Sequence, residues 1–149
     1  MTRDPGTAYT RPMTILVIDD DVASVGAMSH FLRKLRFDVI AAYDALSATT
    51  EAVKAVPDLI IMDYEMPAGN GAMVYQRLRN IAATADVPVI FVSGLGVEAL
   101  RASVPPRPNL RYLAKPVDFD DVARCLGELL PGRAGLGDAP ADGPLDLDA

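Results

Sequence analysis

Two uninterrupted apolar tetrapeptides, Ile15-Leu16-Val17-Ile18 and Leu59-Ile60-Ile61-Met62, each stop on an aspartate. A strand with one wet face alternates apolar and polar residues, so a run without alternation reads as a strand covered on both faces, the pattern of a parallel sheet. Pro88-Val89-Ile90-Phe91-Val92 repeats the pattern and closes on Ser93-Gly94, while the shorter Leu110 to Ala114 closes on Lys115-Pro116. Phe37 to Ala42 supplies one more strand. Helical stretches separate them. Asp19-Asp20-Asp21 opens a helix with Val22, Val25, Ser29 and Leu32 on one stripe and Met28, Phe31 and Leu35 beside it, and Asp44 caps a second from Ala45 to about Ala55 that Pro57 stops. Asn70 or Gly69 starts a third, with Gly71, Val74, Leu78 and Ile81 buried. A short fourth fits Val97 to Ser103, where Pro105, Pro106 and Pro108 forbid continuation, and Asp118 caps a last one with Val122, Cys125, Leu126 and Leu129 inward.

Strands alternating with helices five times predict an α/β fold: a five-stranded parallel sheet, doubly wound, with helices on both faces and right-handed crossovers. The flavodoxin-like strand order 2-1-3-4-5 fits, and in such sheets ligands bind beyond the carboxyl ends of the strands. Residues 1–12 read as a flexible leader and 132–149 as a disordered acidic tail of Gly, Pro, Ala and Asp. The 149 residues, half of them hydrophobic, suit one domain, and no separate output domain is expected. A formal net charge of −6 argues against direct nucleic-acid binding, which needs clustered cations. Cys125 is the only cysteine, so no internal disulfide forms. No apolar run is long enough to span a membrane and the first dozen residues lack the apolar centre of a secretion signal, so the expectation is a cytoplasmic protein without membrane contact.

The strand ends carry the chemistry. With the order 2-1-3-4-5, Asp19, Asp20, Asp63, Ser93 and Lys115 converge on one rim. Carboxylates brought this close repel, by roughly 4 kcal/mol per pair at about 4 Å and an intermediate dielectric. Mg²⁺ is the natural remedy, since it takes hard oxygen ligands from one or two carboxylates and a phosphate. Asp63 is then the candidate nucleophile toward a phosphoryl group, with Lys115 as a positive charge on one side and Ser93 as a hydroxyl donor on the other.

These residues resemble the receiver domains of bacterial two-component response regulators, stand-alone chemotaxis regulators among them, over about Met13 to Pro131. The resemblance rests on Ile-Leu-Val-Ile-Asp19-Asp20-Asp21, Ile-Met-Asp63-Tyr-Glu-Met-Pro67 with Gly71, Val-Ser93-Gly, and Tyr112-Leu-Ala-Lys115-Pro116-Val, all four in order. It implies Asp63 as phosphoacceptor, Asp20 as direct Mg²⁺ ligand with Asp19 acting through water, and the backbone carbonyl of Glu65 as a further ligand. It also implies Ser93 and Tyr112 as a switch pair, and a cis peptide between Lys115 and Pro116. The prolines at 105–108 stand where the family continues its fourth helix, which puts the output face in question rather than the site. Leu95, two past Ser93, is apolar and is expected to hinder water and slow the loss of phosphate.

The function so implied is that of a single-domain response regulator in a two-component phosphorelay. It would take a phosphoryl group from a sensor histidine kinase or phosphotransfer protein and signal through contacts with a downstream protein, catalysing only its own phosphorylation and dephosphorylation. A phosphate shuttle or sink is the alternative. A metal-dependent aspartyl phosphatase fits less well, because Asp63-Tyr64-Glu65 lacks a second aspartate placed as acid. A flavin or dinucleotide carrier is disfavoured because no Gly-rich phosphate loop follows the first strand, where Asp19 to Ala23 stands instead. His30 has no metal-spaced partner and reads as a surface residue, and Cys125 reads as plain core.

Overall fold

A computed structural model describes residues 12–67 and 70–130. Five strands alternate with five helices: β1 Thr14–Ile18, α1 Val22–Lys34, β2 Asp38–Ala42, α2 Ala45–Ala55, β3 Leu59–Asp63, α3 Gly71–Arg79, β4 Val89–Ser93, α4 Val97–Ser103, β5 Leu110–Ala114 and α5 Phe119–Leu129. All neighbouring strands are parallel, in the order β2-β1-β3-β4-β5. The doubly wound α/β expectation holds.

Alternate residues of each strand go to opposite faces, so the sheet separates two cores. Ile15, Val17, Leu59, Ile61, Ile90 and Val92 pack with α1 and α5, where the Phe31 and Phe119 rings stack at a 4.7 Å centroid separation. Leu16, Ile18, Ile60, Met62 and Phe91 pack with α2, α3 and α4. Each such side chain, fully removed from water, contributes roughly 1.5–3 kcal/mol. That double burial is why the central strands show no polar alternation.

The helix starts follow the sequence. Asp21, Asp44, Asn70 and Asp118 each accept a backbone N–H of the first turn with the side chain. Gly96, at φ 96°, precedes α4 in a conformation that other residues rarely adopt. Four expected core positions are not fully buried, of which Leu35 and Leu129 are half-buried against the first core. Val22 is 68% exposed, because the first turn of α1 stands at the rim with its cap and the buried stripe begins at Val25. Ile81 lies beyond the end of α3 and is half-buried against the second core. Asn70, not Gly69, caps α3. Gly69 and, apart from Pro12, the leader and tail lie outside the described residues.

An arginine ties the N-terminal end of the sheet together. Arg79 donates to the Tyr75 hydroxyl at 2.6 Å, to Asn109 Oδ1 at 2.9 Å and to the Ala85 carbonyl, joining α3 to the segments before β4 and β5. Among the described residues, no helix is long and apolar enough to cross a membrane.

Candidate functional site

β1 runs straight into Asp19, which is buried, while Asp20 beside it is exposed. Asp19 Oδ1 accepts the Asp21 N–H at 3.0 Å, and Asp21 turns away to cap α1, accepting from the Ser24 hydroxyl at 2.6 Å. That bond holds the Asp21 carboxyl below the usual range. The acidic trio therefore divides: two carboxylates face the rim and the third belongs to the helix.

Asp63 ends β3 with its side chain 3% exposed. Its Oδ1 accepts the Glu65 N–H at 3.1 Å, and its Oδ2 lies 3.3 Å from Lys115 Nζ. Lys115 Nζ also stands 3.8 Å from Asp19 Oδ2. Burial pushes the Asp63 carboxyl up to about 6, with the Asp19 charge adding to it against the pull of the Glu65 N–H and Lys115. Burial alone would lower the Lys115 ammonium, but the Asp63 and Asp19 carboxylates outweigh it and raise it.

One carboxylate oxygen from each of Asp19, Asp20 and Asp63 lies within 4.8 Å of the others. Three hard anionic oxygens converging at that spacing fit a small divalent cation such as Mg²⁺. A cavity of about 280 Å³ opens beside them, bounded by Val17, Met28, Ile61, Lys115 and Phe119.

On the β4 side, Ser93 is fully buried and its hydroxyl accepts the Leu95 N–H at 2.9 Å. Leu95 itself projects outward, 60% exposed. The Lys115–Pro116 peptide is cis, as the resemblance implied. Tyr112 stands apart. Its hydroxyl donates to the Val104 carbonyl just past α4, and the Arg101 guanidinium lies 5.5 Å from its ring centroid. Burial raises the Tyr112 hydroxyl above its usual pKa. The structure thus gathers Asp19, Asp20, Asp63 and Lys115, sets Ser93 next to them at the end of β4, and keeps Tyr112 against α4.

The Glu65 side chain was missed at the level of sequence, where only its backbone carbonyl had a part. Its Oε1 accepts the Gly94 N–H at 3.0 Å, bridging the ends of β3 and β4. No spacing in the sequence announces it, because its partner lies twenty-nine positions away at the end of another strand. His30 is exposed and Cys125 buried, both as expected.

The model of the response regulator receiver domain family matches residues 15–126. The DNA-binding dual master transcriptional regulator RpaA of Synechocystis sp. is 34% identical over 139 residues, covering 89% of this chain and 58% of RpaA. Protein PilH of Pseudomonas aeruginosa is 28% identical over 118 residues, covering 79% of this chain and 98% of PilH. The chain therefore spans about six tenths of RpaA but nearly the whole of PilH. Among solved structures, the chemotaxis protein CheY4 of Vibrio cholerae superposes with a TM-score of 0.74 at 22% identity, over 80% of this chain and 99% of CheY4. A response regulator from Desulfuromonas acetoxidans gives a TM-score of 0.70 at 26% identity, over 80% of this chain and 97% of its own.

Proposed function

This chain belongs to the response regulator receiver domain family, and on that premise we propose that Asp63 accepts a phosphoryl group from a sensor histidine kinase or a phosphotransfer protein. An Asp63 carboxylate oxygen attacks phosphorus, a P–O bond forms, and the P–N bond to the donor imidazole breaks. The imidazole leaves as the neutral ring, taking a proton at the departing nitrogen. The observation that carries this reading is the company of Asp63: a carboxylate 3% exposed, 3.3 Å from Lys115 Nζ, grouped with two more carboxylates from β1.

Asp20, Asp63 and the Glu65 carbonyl would hold Mg²⁺, with Asp19 acting through water. The ion, when bound, supplies positive charge against the carboxylates and the incoming phosphoryl oxygens. Lys115 offers its ammonium to the same oxygens from the β5 side, and Ser93 offers its hydroxyl from β4, exchanging its present contact with Leu95 for one to the phosphoryl group. Tyr112 would then leave Val104 and follow Ser93, reshaping the surface around α4 that a downstream protein reads.

The receiver unit is taken as residues 13–131, acting in the cytoplasm through protein contacts and performing no reaction beyond its own phosphorylation and hydrolysis. The net charge of −6 supports a protein rather than a nucleic-acid partner. The test is to offer acetyl phosphate, with and without Mg²⁺, to the wild type and to Asp63→Asn. A Mg²⁺-dependent mass increase of one phosphoryl group confined to the wild type supports the proposal. An equal increase in Asp63→Asn removes it, and turnover of free phosphate esters favours a phosphatase.

A further inference from the structure

We infer that the Glu65 carboxylate occupies the place of a phosphoryl oxygen at the end of β4 and must withdraw before a phosphoryl group can settle on Asp63. This rests on the reading of Asp63 as the phosphoryl acceptor. Backbone groups of successive residues in a strand face opposite neighbours. The Val92 carbonyl accepts from Tyr64 on the β3 side at 2.9 Å, and the Ser93 carbonyl accepts from Lys115 on the β5 side at 2.9 Å. Gly94, one further on, turns its N–H back toward the β3 side, where Asp63 ends its strand. A fixed backbone donor beside a buried nucleophile is what a phosphoryl oxygen needs.

Glu65 already holds that donor. Its Oε1 accepts the Gly94 N–H at 3.0 Å, and both of its carboxylate oxygens lie 3.9 Å from where a Cβ on Gly94 would stand, so the carboxylate lies alongside the glycine. The same residue grips Asp63 from the other end, its own N–H donating to Asp63 Oδ1 at 3.1 Å. Glu65 therefore straps β3 to β4 across the β4 side of Asp63. It also shares Lys115, whose ammonium feels Glu65 together with Asp63 and Asp19. A phosphodonor bringing anionic oxygens meets a like charge and finds its backbone donor taken. The Glu65 side chain is thus a positioning residue that restrains phosphorylation, separate from its carbonyl, which any substitution at 65 retains.

The test uses the full chain at saturating Mg²⁺ and phosphoramidate as donor. In that reaction an Asp63 oxygen forms the P–O bond, the P–N bond breaks and nitrogen leaves as ammonia. Glu65→Ala should raise the initial phosphorylation rate and the affinity for beryllofluoride, each roughly three- to tenfold, the scale of one charge-assisted hydrogen bond at a wet rim. Glu65→Gln should fall between, because its amide oxygen still accepts from Gly94 without the charge. Exchange of the Gly94 amide with solvent should quicken in Glu65→Ala, a readout that a general loosening confined to other parts of the chain would not move. An Ala variant no faster than wild type, or a Gly94 amide that exchanges alike in both, overturns the inference. The Asp63→Asn/Glu65→Ala double variant separates the two readings: if it takes up phosphate, the assignment of Asp63 fails instead.

Discussion

Lys115 Nζ lies 3.3 Å from Asp63 Oδ2 although the strands they extend, β5 and β3, are separated by β4. The pair is asymmetric: the Asp63 side chain is 3% exposed and the Lys115 side chain 35%. The lysine stem reaches over the end of β4 to place its ammonium at the rim, so the buried partner is held by a cation that remains partly wet. Replacing it leaves the Asp63 and Asp19 carboxylates facing each other without that cation. Lys115→Met should push the Asp63 carboxyl above its present value of about 6 in metal-free protein. It should also slow phosphorylation by at least roughly tenfold, the scale of losing one positioned charge at a transferring phosphoryl group. Carbonyl-carbon NMR titration of Asp63 and mass-detected phosphorylation check the two parts.

The raised Asp63 carboxyl has a consequence for stability. The native protein keeps the proton up to about pH 6, whereas an unfolded chain releases it near the ordinary 3.8. Between those values the native state binds more protons, so this group's contribution falls as pH rises, being fully present below about 3.8 and lost above about 6. Asp63→Asn has no such loss. Its stability relative to wild type should climb by roughly 1–2 kcal/mol across pH 4–6 and level off above, after allowance for water reaching the rim. Urea unfolding without metal at pH 4 and pH 7.5 measures the difference, and Mg²⁺ should narrow it at pH 7.5 by stabilising the wild type.

Strand positions, helix starts and the residues at the rim were legible because each has a local cause, whereas the strand order came with the doubly wound fold class and not from any local signal. A run such as Ile15 to Ile18 has to be covered on both faces, and a carboxylate such as Asp44 before a helical stretch caps it by its own geometry. What could not be read were bonds whose partners lie far apart in sequence. Arg79 reaches Asn109 thirty positions on, and Glu65 reaches Gly94 across twenty-nine, with no pattern of spacing to announce either. Val22 shows the complementary limit: periodicity places it on the apolar stripe, but the sheet ends before the first turn of α1 begins. Tyr112 is legible as a partly inward aromatic on β5, while its bond to Val104 depends on where the proline segment carries the chain.

Gly71 sits where no side chain fits. A Cβ there would stand 2.8 Å from the Asp63 carbonyl oxygen, 2.9 Å from the Phe91 ring and 3.0 Å from Tyr64 Cα. The Gly71 N–H in turn donates to the Tyr64 carbonyl at 2.7 Å, pinning α3 against the end of β3. Two of those three neighbours are backbone and cannot rotate away. Gly71→Ala should therefore cost about 2–3 kcal/mol of stability by forcing backbone shifts, and should slow phosphorylation because the segment displaced carries Asp63. Denaturant unfolding checks the first. A variant as stable as wild type would mean that α3 moves off the strand end freely.

The Tyr112 hydroxyl is bound to the carbonyl of Val104, which is itself buried and donates its N–H to Leu100 at 2.8 Å. Pro105 and Pro106 stop α4, and the residue four places on that would serve the Val104 carbonyl in a longer helix is Pro108, which has no N–H, so that carbonyl cannot be occupied from within. Tyr112 is thus a cross-strut from β5 to the end of α4, with Arg101 over its ring adding a contact worth roughly 0.5–1 kcal/mol. Tyr112→Phe keeps the ring and removes the strut. It should lower stability by about 0.5–1.5 kcal/mol and quicken hydrogen exchange over residues 97–104. Phosphorylation of Asp63 should stay within about twofold, because the hydroxyl is held by the Val104 carbonyl just past α4. A tenfold fall in that rate with unchanged exchange in α4 would place the hydroxyl in the chemistry instead. With both outcomes measured on one variant, the strut at α4 and the site at Asp63 are separated.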